Sequence, residues 1–205
     1  LTGQATQVAL LSQAVINPGL GYGIDFNPVA DYNGAASLRL VSSAGSNFAI
    51  NASTGAVGNA ASNIGGGYTG VAYTNSMPMP MAAPAGTALY YINSSTDMLM
   101  MAPGAFNAPT ISAVGALGVD VLKANGFDIG PGNRGYAALN LDDGSSLATG
   151  IYSIDLGTGQ ASLLGTYNGT LSGLTVTPVP EPQTVALMLA GLAALGAVAR
   201  RRRSA

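Results

Sequence analysis

Tyr152-Ser153-Ile154-Asp155-Leu156-Gly157-Thr158-Gly159, followed by Gln160-Ala161-Ser162-Leu163-Leu164-Gly165, decides the fold. Apolar residues alternate up to Ile154. An Asp then stands where its side chain can bond the backbone two residues on, and a Gly stands where φ turns positive, after which alternation resumes. This is the grammar of a β-hairpin. Phe48-Ala49-Ile50-Asn51-Ala52-Ser53-Thr54-Gly55 and Tyr90-Tyr91-Ile92-Asn93-Ser94-Ser95-Thr96-Asp97 repeat it. Thr2-Gly3-Gln4-Ala5-Thr6 matches Thr158-Gly159-Gln160-Ala161-Ser162 almost residue for residue. The opening residues therefore read as the second half of a hairpin whose first strand lies upstream, which predicts an N-terminally truncated repeat.

A second motif precedes each hairpin: Gly23-Ile24-Asp25-Phe26, Gly70-Val71-Ala72-Tyr73, Gly126-Phe127-Asp128-Ile129 and Gly173-Leu174-Thr175-Val176, at spacings of 47, 56 and 47 residues. Periods near ~40–50 residues with several strands per unit point to propeller blades, small sheets that bury their faces only against their neighbours. For the last complete unit the pattern predicts strands over 126–129, 135–141, 150–156 and 160–167. Four strands make one blade. The expected fold is all-β, with β-propeller-like repeats of four-stranded blades over residues 1–177. About three blades are present, fewer than the ~4–8 that close a ring.

The order of short motifs from about residue 15 to 176 resembles domain-of-unknown-function family 4394. The resemblance is carried by Gly23-Ile24-Asp25-Phe26-Asn27-Pro28 with Asp31, Leu38-Arg39-Leu40-Val41-Ser42, Asn47 with Thr54-Gly55, Ala72-Tyr73-Thr74-Asn75, Leu89-Tyr90-Tyr91-Ile92, Gly115-Ala116-Leu117-Gly118-Val119-Asp120, Gly126-Phe127-Asp128-Ile129 and Ile151-Tyr152-Ser153-Ile154-Asp155. It implies further repeats upstream and supplies no activity for any residue. This chain has Ala49 where such proteins tend to show Arg.

Composition narrows the chemistry. Charged residues are 8 % of the chain, too few for the outer faces of long solvated helices. Residues 1–178 carry three basic against eight acidic side chains, a net charge of −5. Such a body lacks the basic patch that displaces counterions from nucleic acid, which excludes that partner. The chain has no Cys and no His, so imidazole bases, imidazole-based triads and the commonest zinc ligands are all missing. No catalytic residue, metal ligand or cofactor is assigned to the body.

Asp25, Asp120, Asp128 and Asp155 recur at repeat positions and read as acceptors for neighbouring backbone N–H groups, with calcium binding or paired-carboxylate catalysis as alternatives. Asp142-Asp143-Gly144-Ser145-Ser146 lacks the ligand spacing of a calcium loop and reads as a hairpin loop. Met77, Met79, Met81, Met98, Met100 and Met101 lie near Pro78, Pro80, Pro84 and Pro103, which fits an extended loop and a half-buried edge strand better than a copper site. Arg39 and Arg134, isolated cations in an acidic body, are expected to pair with an Asp. Tyr68, Tyr73, Tyr90, Tyr91, Tyr136, Tyr152 and Tyr167 are expected to pack mainly between blades, with sugar stacking as the alternative.

Residues 178–205 form a tail of different character. Val179-Pro180-Glu181-Pro182 is followed by an unbroken apolar run, Val185 to Ala199, and then by Arg200, Arg201, Arg202 and Arg203. A helix over 184–199 is predicted; its ~15 apolar residues would reach about 22 Å, short of a comfortable membrane span. The arginines place its end in the cytoplasm and the body across the membrane. All three parts, in order, resemble the PEP-CTERM sorting signal of Gram-negative bacteria, read by an exosortase. The resemblance implies export through an N-terminal signal, transient anchoring by one short transmembrane helix, and processing near Pro180-Glu181-Pro182. It is often found in bacteria that make exopolysaccharide or biofilm matrix. Residue 1 is Leu, with no charged or apolar leader behind it, so the signal is expected to have been removed or to lie upstream.

The expected function is that of an exported, exosortase-processed surface or matrix protein with a non-catalytic binding or structural role. Its expected partners are the exosortase and the membrane, with extracellular polysaccharide or surface proteins as further candidates. The alternative is an extracellular glycan hydrolase or lyase working with two carboxylates.

Overall fold

The structure is a computed structural model that describes residues 3–77, 82–141, 148–171, 173–177 and 187–192. Twelve strands form three four-stranded antiparallel sheets, each built from strands consecutive in sequence. The first holds β1 (Tyr22–Phe26), β2 (Ser37–Ser42), β3 (Asn47–Asn51) and β4 (Val57–Gly58). The second holds β5 (Tyr68–Tyr73), β6 (Leu89–Asn93), β7 (Met98–Ala102) and β8 (Ser112–Ala116). The third holds β9 (Val121–Gly130), β10 (Arg134–Leu141), β11 (Ala148–Ile154) and β12 (Ala161–Asn168). The four strands predicted for the last unit are all present, with ends shifted by a few residues.

The hairpin grammar works as expected at atomic level. Asp155 Oδ1 accepts from Gly157 N at 2.8 Å and Thr158 N at 3.0 Å, and Gly159 follows at φ +86°. Asn51 Oδ1 accepts from Ser53 N and Thr54 N, both at 3.0 Å, ahead of Gly55 at φ +74°. Asn93 Oδ1 accepts from Ser95 N at 2.9 Å, and Asp97 takes the left-handed position at φ +54°. In each case the side chain mimics a backbone acceptor and fixes the turn.

Two expectations about secondary structure need correction. Residues 3–10 form no strand; near them Ser12 N donates to Gly55 O at 2.8 Å, so the segment leans on the β3–β4 turn instead of a ladder. A short helix, α1 (Pro28–Tyr32), interrupts the all-β pattern. Its signal is Asn27-Pro28. The Asn27 side chain accepts from Val29 N and Ala30 N, and Pro28 fills the first turn, where a missing N–H costs nothing.

Successive sheets bury their faces together. Val41, Tyr68, Val71, Tyr73, Leu89 and Tyr91 fill the space between the first and second sheets. Ile92, Leu99, Phe127, Ile129, Leu139 and Ile154 are prominent between the second and third. The tyrosines follow the packing expectation at Tyr68, Tyr73, Tyr91 and Tyr152, all at least 94 % buried, whereas Tyr167 on the edge strand β12 is exposed. Tyr73 meets Phe106 edge-on, with ring centroids 5.1 Å apart at 83°. Met98, Met100 and Met101 lie on β7, which pairs with both β6 and β8, so this is an interior strand and not the expected edge. Met79 and Met81 lie outside the described residues.

The fully buried Tyr91 hydroxyl has no hydrogen-bond partner among the described residues, and burial holds its pKa well above the ordinary tyrosine value. An unpaired buried hydroxyl costs about 1–3 kcal/mol. Tyr91→Phe keeps the ring and removes the orphan. It is expected to raise stability by about 1 kcal/mol, read as a higher midpoint in chemical denaturation; a lower midpoint would show that the hydroxyl is paired in solution.

Of the predicted helix 184–199, the described residues cover 187–192, which are helical, with Leu187, Met188, Leu189 and Leu192 exposed. Among the described residues, no helix is long and apolar enough to cross a membrane.

Candidate functional site

The repeated glycine motif lies on the first strand of each sheet, with Asp two residues on in the first and third, where β1, β5 and β9 pack side by side. The glycine is there because its neighbours, backbone at Gly23 and Gly126 and side-chain Cβ atoms at Gly70, crowd the position. A Cβ on Gly23 would sit 2.6 Å from Val71 N, one on Gly70 would sit 3.0 Å from Phe127 Cβ, and one on Gly126 would run into Gly173 and Leu174. The fourth motif copy, 173–176, thus lies against β9 just as β5 lies against β1.

This approach puts each motif Asp within reach of the next copy of the motif. Asp25 Oδ2 accepts from Tyr73 N at 2.6 Å, and Asp128 Oδ2 accepts from Val176 N at 2.6 Å, in both cases 48 residues further on. Thr175 Oγ1 also donates to Asp128 Oδ2, at 3.2 Å. The two clamps are equivalent in the repeat. In the second sheet Ala72 holds this position, and there Asn75 and Asn133 take over: Asn75 N donates to Asn133 Oδ1 at 2.7 Å, and Asn133 Nδ2 to Asn75 Oδ1 at 3.0 Å. Sequence reading missed this amide pair, whose only signal is a left-handed Asn at each end, with φ of +62° and +55°.

Asp25, Asp31, Tyr32, Met77, Asp128 and Val176 line a cleft of about 500 Å³ at this seam. Burial pushes the Asp25 carboxyl from an ordinary 3.8 up to about 7, against the pull of N–H bonds from Tyr73 and Phe26, and the nearby Asp128 adds to the rise. Burial also raises the Asp31 carboxyl, although it accepts from Ser37 N at 2.9 Å. Among the described residues, no three acidic side chains are grouped to hold a metal ion. Chemically, the arrangement holds backbone N–H groups and keeps one carboxyl easy to protonate.

The family described as Domain of unknown function (DUF4394) matches residues 1–175. The chain belongs to this family. A PEP-CTERM protein-sorting motif matches residues 178–203, directly behind the DUF4394 body. The protein is therefore an exported protein sorted by an exosortase and anchored in the membrane during processing. No curated protein and no solved structure matches the chain.

The sorting residues Val179, Pro180, Glu181 and Pro182 and the orienting cluster Arg200, Arg201, Arg202 and Arg203 lie outside the described residues, as do Asp142 and Asp143. What the structure does describe is the segment 173–177 just ahead of them, tied to β9 through Asp128. The DUF4394 body thus holds its own chain at Val176, three residues before Val179.

The remaining candidates fall into place around this seam. Asp155 is a turn residue whose backbone bonds lower its carboxyl pKa, and Asp120 lies in the turn before β9, apart from the clamps. Arg134 is exposed at the start of β10. Arg39 departs from the expected pairing with an Asp. It is 5 % exposed, and its partners are the Tyr73 phenol, Asn47 Oδ1 and Asn107 Oδ1, none of them a carboxylate.

Proposed function

We propose that the three sheets are blades of a propeller-like body that is delivered to the cell surface or the extracellular matrix, where it serves a non-catalytic binding or structural role. The observation that carries this reading is the use made of the motif carboxylates. In both clamps an oxygen that a glycan cleavage reaction would need is occupied by a backbone N–H, from β5 at Asp25 and from the 173–177 segment at Asp128. Asp25, which joins two sheets, is costly to redirect to a substrate, because the Tyr73 amide it leaves would be buried without a partner.

Packing supports the propeller description. Each sheet is four consecutive antiparallel strands, first strands lie together, and faces are buried only between successive sheets. The sorting motif supports export; biofilm or exopolysaccharide association is an extension from the class of proteins that carry this signal.

A second reading has one observation in its favour. Asp25, raised to about 7 by burial, shares a cleft with the Asp128 carboxyl, and glycosidases work with two carboxyl groups flanking one cleft. Incubating the purified protein with matrix polysaccharide from its host separates the two. Co-sedimentation without new reducing ends is expected; release of reducing ends that disappears in Asp128→Asn would establish the hydrolase.

A further inference from the structure

Arg39 is a buried cation with no carboxylate among its hydrogen-bond partners; Asp25 is its cross-strand neighbour on β1, but the Asp25 oxygens accept from Tyr73 N and Phe26 N. β2 carries it into the space between the first sheet and the segment that follows β7, where Phe106 and Asn107 lie. Nε donates to Tyr73 Oη at 3.4 Å, Nη1 to Asn47 Oδ1 at 3.1 Å and Nη2 to Asn107 Oδ1 at 2.9 Å. A guanidinium has five N–H groups, so two remain without an acceptor among the described residues. Neutral amides orient the group but do not offset its charge, and a desolvated charge left uncompensated is strongly unfavourable.

The space beside it is open. Arg39 lines a pocket of about 460 Å³ together with Asn27, Ser37, Ala49, Phe106 and Asn107. Ala49 is the cross-strand partner of Arg39 on β3, and its short side chain leaves room there. The lining therefore offers a fixed planar cation, hydroxyl and amide groups, and one aromatic ring. Held in place by three bonds, the guanidinium is preorganised for the fork geometry that a carboxylate or sulfate requires.

We propose that this pocket binds one anionic group, a carboxylate or sulfate, carried on a hydroxylated ligand such as an acidic sugar. The charge pairs with Arg39, and the hydroxyls meet Ser37, Asn27 and Asn107. That the ligand is met outside the cell rests on the proposed function; the site itself does not. The overall acidity of the body limits the ligand to a locally inserted anion, because a long polyanion lying across the surface would be repelled.

Two probes, glucuronate and inorganic sulfate, test this by calorimetry and thermal shift on the purified protein at constant ionic strength, with glucose as the uncharged control. Binding of glucuronate and sulfate but not glucose is expected, with affinity for both falling at least tenfold in Arg39→Gln. Ala49→Glu is the decisive variant, because it adds a carboxylate across from Arg39 on the β3 side, where the pocket opens, in addition to Asp25 on the β1 side. It is expected to raise the melting temperature of the unliganded protein and to abolish anion binding, which also covers the case in which Arg39→Gln fails to fold. If glucuronate produces sulfate-like binding only, the anionic group alone is recognised and the sugar assignment is wrong. Absence of binding by both anions, or binding unchanged in Ala49→Glu, overturns the site. None of these outcomes bears on export, so failure here is distinguishable from failure of the proposed function.

Discussion

Gly23→Val and Gly126→Val are each expected to remove more than about 3 kcal/mol of stability and to leave little folded protein. The reason is position rather than backbone conformation, since neither glycine has a positive φ. At Gly23 the added Cβ would lie 2.6 Å from Val71 N and 2.7 Å from the Gly70 carbonyl carbon, and at Gly126 it would meet the backbone of Gly173 and Leu174. Backbone atoms cannot rotate aside as a flexible side chain can, so β1 must part from β5 in the first variant and β9 from the 173–177 segment in the second. Separation then strains the Asp25 clamp in the one and the Asp128 clamp in the other, and at Gly23 it opens the face between the first two sheets. Gly104, where a Cβ would meet nothing within 4 Å, is the control, and Gly104→Ala is expected to stay within about 0.5 kcal/mol of the parent. Urea denaturation of the three proteins decides the matter: equal midpoints would show that the first strands are not in contact.

The second large effect is a pH dependence located at Asp25. Burial raises its folded pKa to about 7 from an ordinary 3.8, so between these values the folded state holds a proton that the unfolded chain has released. Stability therefore falls as pH rises through this window, and the contribution is fully present only below the lower value. The clamp with Tyr73 N partly opposes the trend, because it favours the charged carboxylate. Asp25→Asn removes the titration. Its melting temperature is expected to lie below the parent at pH 4, where one clamp oxygen has been lost, and to approach or exceed the parent at pH 8. Parallel melting curves for the two proteins between pH 4 and pH 8 would place the Asp25 proton elsewhere.

Much of this body can be read from residue order because hairpins are local. Asn51, Asn93 and Asp155 reach acceptor geometry within three residues of themselves, so spacing alone reveals the turns and the strands that flank them. The 47-residue interval between Gly23 and Gly70 likewise reflects a real contact, although its meaning as backbone against backbone appears only when β1 and β5 are side by side. Non-local chemistry was hidden. Nothing in the motif shows that Asp25 reaches Tyr73 N and not its own turn, or that Arg39 ends among amides and a phenol. Ala72 illustrates the limit, since the missing Asp is replaced by an Asn75–Asn133 pair contributed from 58 residues apart. The opening hairpin failed for the opposite reason: its local pattern matched, but Ser12 found its partner at Gly55 rather than in a neighbouring strand.

Two features make the junction between body and tail the place to test the central claim. Val176 is clamped by Asp128, and the sorting motif begins at residue 178. The measurement is intact mass and membrane partition of the full gene product, expressed in its own host with Pro180 and Pro182 present or both changed to Ala. A released product ending near residue 180, and an uncut, membrane-retained product for the double variant, are the results predicted for an exosortase-sorted protein. An uncut protein found soluble in the cytoplasm would contradict it.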